Sequence, residues 1–188
     1  MKILTGSCLK ELIAVLFISA FFVLLTGCSN VSASENTNRV IKWFDCFDGD
    51  NVSTEHPVEY SLEEFPGVTF RCDSEKMEAV TESGAVTLYT GWPVASTFFY
   101  DLNGDGKPEL CSSVCWGFGA VDERLAVYDY TAGELYELSG RFDFDYKFNS
   151  DGDSLIIEKR RYNQPEIIES GEAELADGII RIKCQETA

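Results

Sequence analysis

From residue 40 onward the apolar positions fall in short runs, broken every 8–14 residues by Gly, Asp, Asn or Pro. Residues 40–47 form an aromatic run that ends in DGDN, and Pro66-Gly67 opens VTFRC. Ser83-Gly84 separates MEAVT from AVTLYTG, and NGDG stands between residues 95–102 and ELCSSVCW. LAVYDY faces ELYEL across Thr131-Ala132-Gly133, and Asp151-Gly152-Asp153 leads into SLIIEKRRY. Residues 141–148 alternate, with Phe142, Phe144, Tyr146 and Phe148 on one side and Asp143, Asp145 and Lys147 on the other. Alternation with period two is the mark of a half-buried strand. Asp177-Gly178 is a two-residue hairpin signal between a strand ending near Leu175 and IIRIKC. Val, Ile, Tyr and Phe dominate the runs, as a pleated surface favours.

No run keeps helical spacing for ten residues with a cap; residues 60–65 suit one short turn. The pattern predicts a mainly β fold, an antiparallel meander arranged as a small sandwich or an incompletely closed barrel. About ten to twelve strands are expected, too few for a complete propeller of at least four four-stranded blades.

Residues 1–39 break this pattern. Lys2 and Lys10 precede the apolar run LIAVLFISAFFVLL at residues 12–25. That length suits the core of a signal peptide and is short of the ~20 residues a membrane-spanning helix needs. Leu25-Thr26-Gly27-Cys28 follows at once. It resembles the lipobox of bacterial lipoproteins, in which small residues admit the signal peptidase and the Cys thiol takes a diacylglyceryl group. The resemblance implies a signal peptide at 1–27, lipidation of Cys28 and a membrane anchor on the extracytoplasmic face, in a Gram-positive envelope. Residues 28–39 hold the lipidated Cys and a small, polar stretch suited to a flexible tether. Residues 40–188 form the single expected β-rich extracellular domain.

Composition narrows the function. The 188 residues include 45% hydrophobic and 13% aromatic positions, enough for a packed core. With 15 Lys and Arg against 32 Asp and Glu, the net charge is −17, and cleavage before Cys28 leaves −18. A surface so acidic excludes nucleic acid, which is held through clustered Lys and Arg. It also leaves membrane binding to acyl chains, because anionic headgroups repel it.

Seven cysteines become six after cleavage; without Cys28, Cys46, Cys72, Cys111, Cys115 and Cys184 remain, an odd number. On one strand Cys111 and Cys115 would lie ~13 Å apart, too far for a disulfide. Most of the five are expected as buried free thiols.

The segment DLNGDGKPEL carries the clearest chemistry. Asp101, Asn103 and Asp105 place oxygen side chains at positions 1, 3 and 5 of a tight loop. Gly106 allows the sharp turn, and the backbone carbonyl of Lys107 follows as a further ligand. An EF-hand requires Glu at position 12, where Ser112 stands, and its loop is flanked by helices, not strands. With Glu109 at position 9 the segment looks like the calcium loop of FG-GAP (or VCBS) repeats, which joins two strands of a propeller blade. That resemblance implies a structural Ca²⁺ held by Asp101, Asn103, Asp105, Glu109 and the Lys107 carbonyl. Asn replaces Asp at position 3 and Glu replaces Asp at position 9, and the loop occurs once. A longer stretch, from EEFPGVTF through GWPV and DLNGDGKPEL to VYDY, is similar to a domain of Firmicute lipoproteins. The same domain occurs in extracellular tails of β-lactam-sensor-type membrane metallopeptidases, whose zinc site the lone His56 cannot form.

No GxSxG motif or Walker loop is present, and His56 sits in a polar loop segment. Asp122, Glu123, Asp143 and Asp145 are the carboxylates that a glycosidase-like pair would draw on. Trp92, Trp116, Phe118, Tyr128 and Tyr130 are aromatic; Trp116 and Phe118, spaced by glycines, form the candidate ligand face. The expected function is a non-catalytic binding or sensor module of the envelope, with a wall glycan, peptide or protein as partner. The alternative is a cell-envelope hydrolase acting through paired carboxylates.

Overall fold

A computed structural model describes residues 39–183. The expected signal peptide, Cys28, most of the tether and Cys184 lie outside the described residues.

The strands are β1 (Ile41–Asp45), β2 (Val58–Tyr60), β3 (Thr69–Cys72), β4 (Lys76–Thr81), β5 (Gly84–Thr90), β6 (Val94–Tyr100) and β7 (Glu109–Trp116). They continue as β8 (Asp122–Asp129), β9 (Glu134–Leu138), β10 (Phe144–Asp151), β11 (Ser154–Arg161), β12 (Ile167–Ala176) and β13 (Ile179–Ile182). Every pairing is antiparallel. Three sheets result, ordered β1-β6-β7-β8-β9, β2-β3-β4-β5 and β10-β11-β12-β13, and none closes into a barrel.

The five-stranded sheet is covered on both faces. Phe99, Leu110, Val114 and Ala126 join a cluster with Phe70, Met77 and Tyr89 of the β2–β5 sheet. Their chain neighbours Phe98, Cys111, Leu125 and Val127 join a second cluster with Phe148, Leu155, Ile157 and Ile180 of the β10–β13 sheet. Successive side chains point to opposite faces of a strand, so one strand feeds both clusters. This explains why residues 94–99 and 109–115 are buried without interruption.

Polar pairs tie the layers together. Ser112 on one face meets the Tyr89 hydroxyl at 2.6 Å and the Thr97 hydroxyl at 2.7 Å. Ser113, on the other face, accepts from Ser96 Oγ and from the Phe148 backbone N–H, both at 2.9 Å. Replacing Ser113 by Ala leaves that buried N–H without its partner. The expected cost is about 1–3 kcal/mol, read as a lower urea midpoint at unchanged slope.

Two local features differ from the alternating pattern. Phe142 does not continue the face of Phe144, Tyr146 and Phe148, because Arg141 and Phe142 take positive φ (42° and 71°) and form a turn. Its ring is 55% exposed and meets Tyr162 edge-on at 5.4 Å. The run at residues 40–47 stops being a strand at Asp45, whose carboxylate accepts the Phe47 N–H and caps a short 3-10 turn, Cys46–Asp48. No helix among the described residues is long and apolar enough to cross a membrane.

Candidate metal centre and aromatic face

Tyr100 and Glu109 pair across β6 and β7, so residues 101–108 close that hairpin. Gly104 and Gly106 adopt φ of +78° and +87°, a region side chains avoid, and the loop winds back on itself there. Its own carboxylates then satisfy its backbone. Asp101 Oδ1 accepts the N–H groups of Gly104 at 2.7 Å and Asp105 at 3.1 Å, and Oδ2 accepts that of Gly106 at 2.9 Å. Asn103 Oδ1 accepts the Asp105 N–H at 2.9 Å, and Asp105 Oδ1 accepts the Lys107 N–H at 2.8 Å.

Glu109 completes the group from the first position of β7. It is 1% exposed, and its Oε2 accepts the Leu102 N–H at 2.6 Å. One oxygen each from Asp101, Asp105 and Glu109 lies within 4.8 Å of the others. Among the described residues no Lys, Arg or His pairs with Glu109. Burial pushes its carboxyl up to about 7; the charges of Asp129, Asp101 and Asp105 add to the rise, and the Leu102 N–H opposes it. Three converging carboxylate oxygens around a buried acid fit a hard cation that takes oxygen ligands. Asn103 retains a lone pair on its amide oxygen for the same ion. The Lys107 carbonyl belongs to this loop, while its ammonium lies 5.8 Å from the Phe65 ring centroid.

Asp129 was not singled out in the sequence, yet it joins this neighbourhood. It ends β8, is 8% exposed and accepts the Ala132 N–H at 2.8 Å, with Asn103 Nδ2 at 3.3 Å. It also opens the Thr131-Ala132-Gly133 turn, its backbone carbonyl accepting the Gly133 N–H at 2.8 Å. Its closeness to Glu109 depends on the pairing of β7 with β8.

Trp116 ends β7, ~23 Å along the strand from Glu109, and Phe118 follows two residues beyond it. Trp116 is 36% exposed and carries the Arg124 guanidinium 5.7 Å from its ring. Phe118 is 87% exposed and meets Trp92 edge-to-face at 4.2 Å. Residues 92 and 93 continue the ladder, Trp92 N donating to Cys115 O and Cys115 N to Pro93 O, both at 2.8 Å. That pairing sets Trp92 beside the loop. Gly117 is required there, since a Cβ would stand 2.1 Å from Ala120 O. Tyr128 and Tyr130 are not part of this face; both pack against the first core cluster.

Asp122 is held by Arg124 at 2.8 Å and by Ser139 Oγ at 2.9 Å, and Asp143 is exposed. Glu123 and Asp145 do come together at one cavity. His56 is exposed in a loop. Cys46, Cys72, Cys111 and Cys115 are free thiols, with Cys111 and Cys115 both on β7. Burial pushes Cys72 and Cys115 up to about 12 and raises Cys111 and Cys46. At neutral pH these thiols stay protonated and are not nucleophiles. Set against known proteins, the chain matches no family model, no curated protein and no solved structure.

Proposed function

We propose that the protein is a lipid-anchored lipoprotein of the bacterial envelope, a non-catalytic binding or sensor module braced by a structural Ca²⁺ loop. The observation that carries the binding reading is the exposed pair Phe118 and Trp92 in the loops beside the end of β7. Aromatic faces held in solvent give contact area to a sugar ring or peptide at little conformational cost. Asp101, Asn103, Asp105, Glu109 and the Lys107 carbonyl would hold the ion at the opposite end of the same strands. An affinity of ~10⁻⁴–10⁻³ M serves an extracellular module. The ion supplies charge neutralisation; the chain's own residues position the hairpin.

The anchor reading rests on Leu25-Thr26-Gly27-Cys28 behind the apolar run. Cys28→Ala is expected to abolish acyl labelling and release the protein from the outer face of the cytoplasmic membrane. A variant that labels and partitions into detergent as before would remove this part of the reading.

The ligand test incubates the full chain, in detergent, with peptidoglycan and wall glycans. Retention on the polymer without product is expected, weakened by Phe118→Ala. One observation favours the hydrolase alternative: the Glu123 carboxyl is raised, first by burial and then by the charge of Asp145, against Arg160 and Lys147. Turnover that vanishes with either acid would put the hydrolase in place of the binding module.

A further inference from the structure

A cavity of about 380 Å³ opens where the β10–β13 sheet lies over the Trp116 end of the central sheet. Val121 reaches it from just before β8, Glu123 from β8, Asp145 from β10, Arg160 from β11, and Tyr162 and Asn163 from the turn that follows. Asp145 is 7% exposed. Its Oδ2 accepts the Asn163 N–H at 2.7 Å, while its Oδ1 is buried with no hydrogen-bond partner. Each cation nearby is already engaged: Arg160 with Glu158 at 2.7 Å, Lys147 with Asp45 at 3.5 Å and Arg124 with Asp122 at 2.8 Å. Among the described residues none of them pairs with Glu123 or Asp145. Arg160 is the one cation among the lining residues, so the cavity sets two carboxylates against one guanidinium, and Asp145 Oδ1 lacks the donor a buried acceptor requires.

We propose that this cavity binds an organic ammonium group, whose N–H donors meet the carboxylates of Asp145 and Glu123 while its carbon body lies against Tyr162 and Val121. An anion is repelled by both acids. A neutral hydroxyl ligand leaves their charges uncompensated. A hard divalent cation needs six to eight oxygens. Among the described residues the one trio of acidic, His or Cys side chains close enough to share a metal is Asp101, Asp105 and Glu109, at the far end of β7. An ammonium ion supplies charge and three donors together. Phe118 directly precedes Gly119, which lines the cavity. Amino sugars and lysine-like alkyl amines share this chemistry. The inference deepens the binding-module reading by naming its ligand class, and it rests on that reading for its biological setting alone.

The test titrates the full chain, in detergent, with glucosamine, with cadaverine and with neutral N-acetylglucosamine, followed by calorimetry. At least one amine is expected to bind and the neutral sugar not to; the preferred amine identifies the source. Glu123→Gln and Asp145→Asn should each weaken binding roughly tenfold or more, as for one lost partner of a buried charge pair. Asp143→Asn should leave it unchanged. Asparagine at 145 keeps an acceptor for the Asn163 N–H; should that variant fail to fold, Glu123→Gln decides. Equal binding of the neutral sugar, no binding of either amine, or amine binding indifferent to Glu123→Gln would overturn the proposal. Retention on wall polymer is a separate readout, so the binding module and the ammonium site can fail independently.

Discussion

Chelating calcium is expected to lower the melting temperature of the wild-type protein, and Asp105→Ala should melt at that lower temperature with or without the ion. An ion that binds only the folded chain stabilises it by mass action, ~2.7 kcal/mol at a concentration one hundred times its dissociation constant. For a chain of this size that is a shift of roughly 5–10 °C. Asp105 is the informative ligand to remove because it is exposed, so its loss leaves no gap in either core. Glu109 gives the same experiment a pH axis. Its carboxyl is raised to about 7 from an ordinary value of 4.5. A raised carboxyl is protonated in the folded state over a range where the unfolded state is already ionised. Its contribution to the metal-free protein is therefore complete below about 4.5 and lost as pH rises through about 7. Calcium requires the ionised form, so its stabilising effect should grow across the same window. Glu109→Gln should flatten this difference. Identical melts with calcium and with chelator at neutral pH would reduce the loop to an ordinary turn.

How far the sequence displays this architecture differs from strand to strand. ELCSSVCW coincides with β7, and Asp177-Gly178 makes its hairpin with φ of 55° and 73° at the two turn residues. A two-residue turn of that hand needs positive φ at both positions, which Asp-Gly tolerates. These are local rules, and local sequence suffices for them. The three-layer arrangement is not local. β1 pairs with β6 only after the whole β2–β5 meander has intervened. A strand buried on both faces loses the alternation that would mark its sides. Ser112 and Ser113 obscure it further, because they are polar residues that face two different cores. The cluster of Asp101, Asp105 and Glu109 could be read because its residues lie close together in the chain. Asp129, the Trp92–Phe118 contact and the Glu123–Asp145 cavity could not, since each joins segments that only the sheet pairing or the stacking of sheets brings together.

Phe99→Ala and Phe98→Ala are each expected to destabilise the protein by about 3–5 kcal/mol, although the two residues are neighbours in the chain. Phe99 is fully buried, with ring centroids of Trp43 at 5.5 Å, Tyr60 at 5.2 Å and Phe70 at 5.6 Å. Truncating it opens the centre of the cluster beneath the β2–β5 sheet. Phe98 is 1% exposed and belongs to the cluster beneath the β10–β13 sheet. In a sheet with one solvated face, one of two consecutive side chains would project into water and its loss would cost within ~0.5 kcal/mol. Two large losses at consecutive positions require a layer on each side. Domains have total stabilities of about 5–15 kcal/mol, so either variant should sit near its unfolding threshold. Urea unfolding at constant slope gives the loss, with Phe118→Ala, at an 87% exposed position, as the near-neutral reference. A silent Phe98→Ala would mean that the β10–β13 sheet does not cover that face in solution. A silent Phe99→Ala would say the same of the β2–β5 sheet.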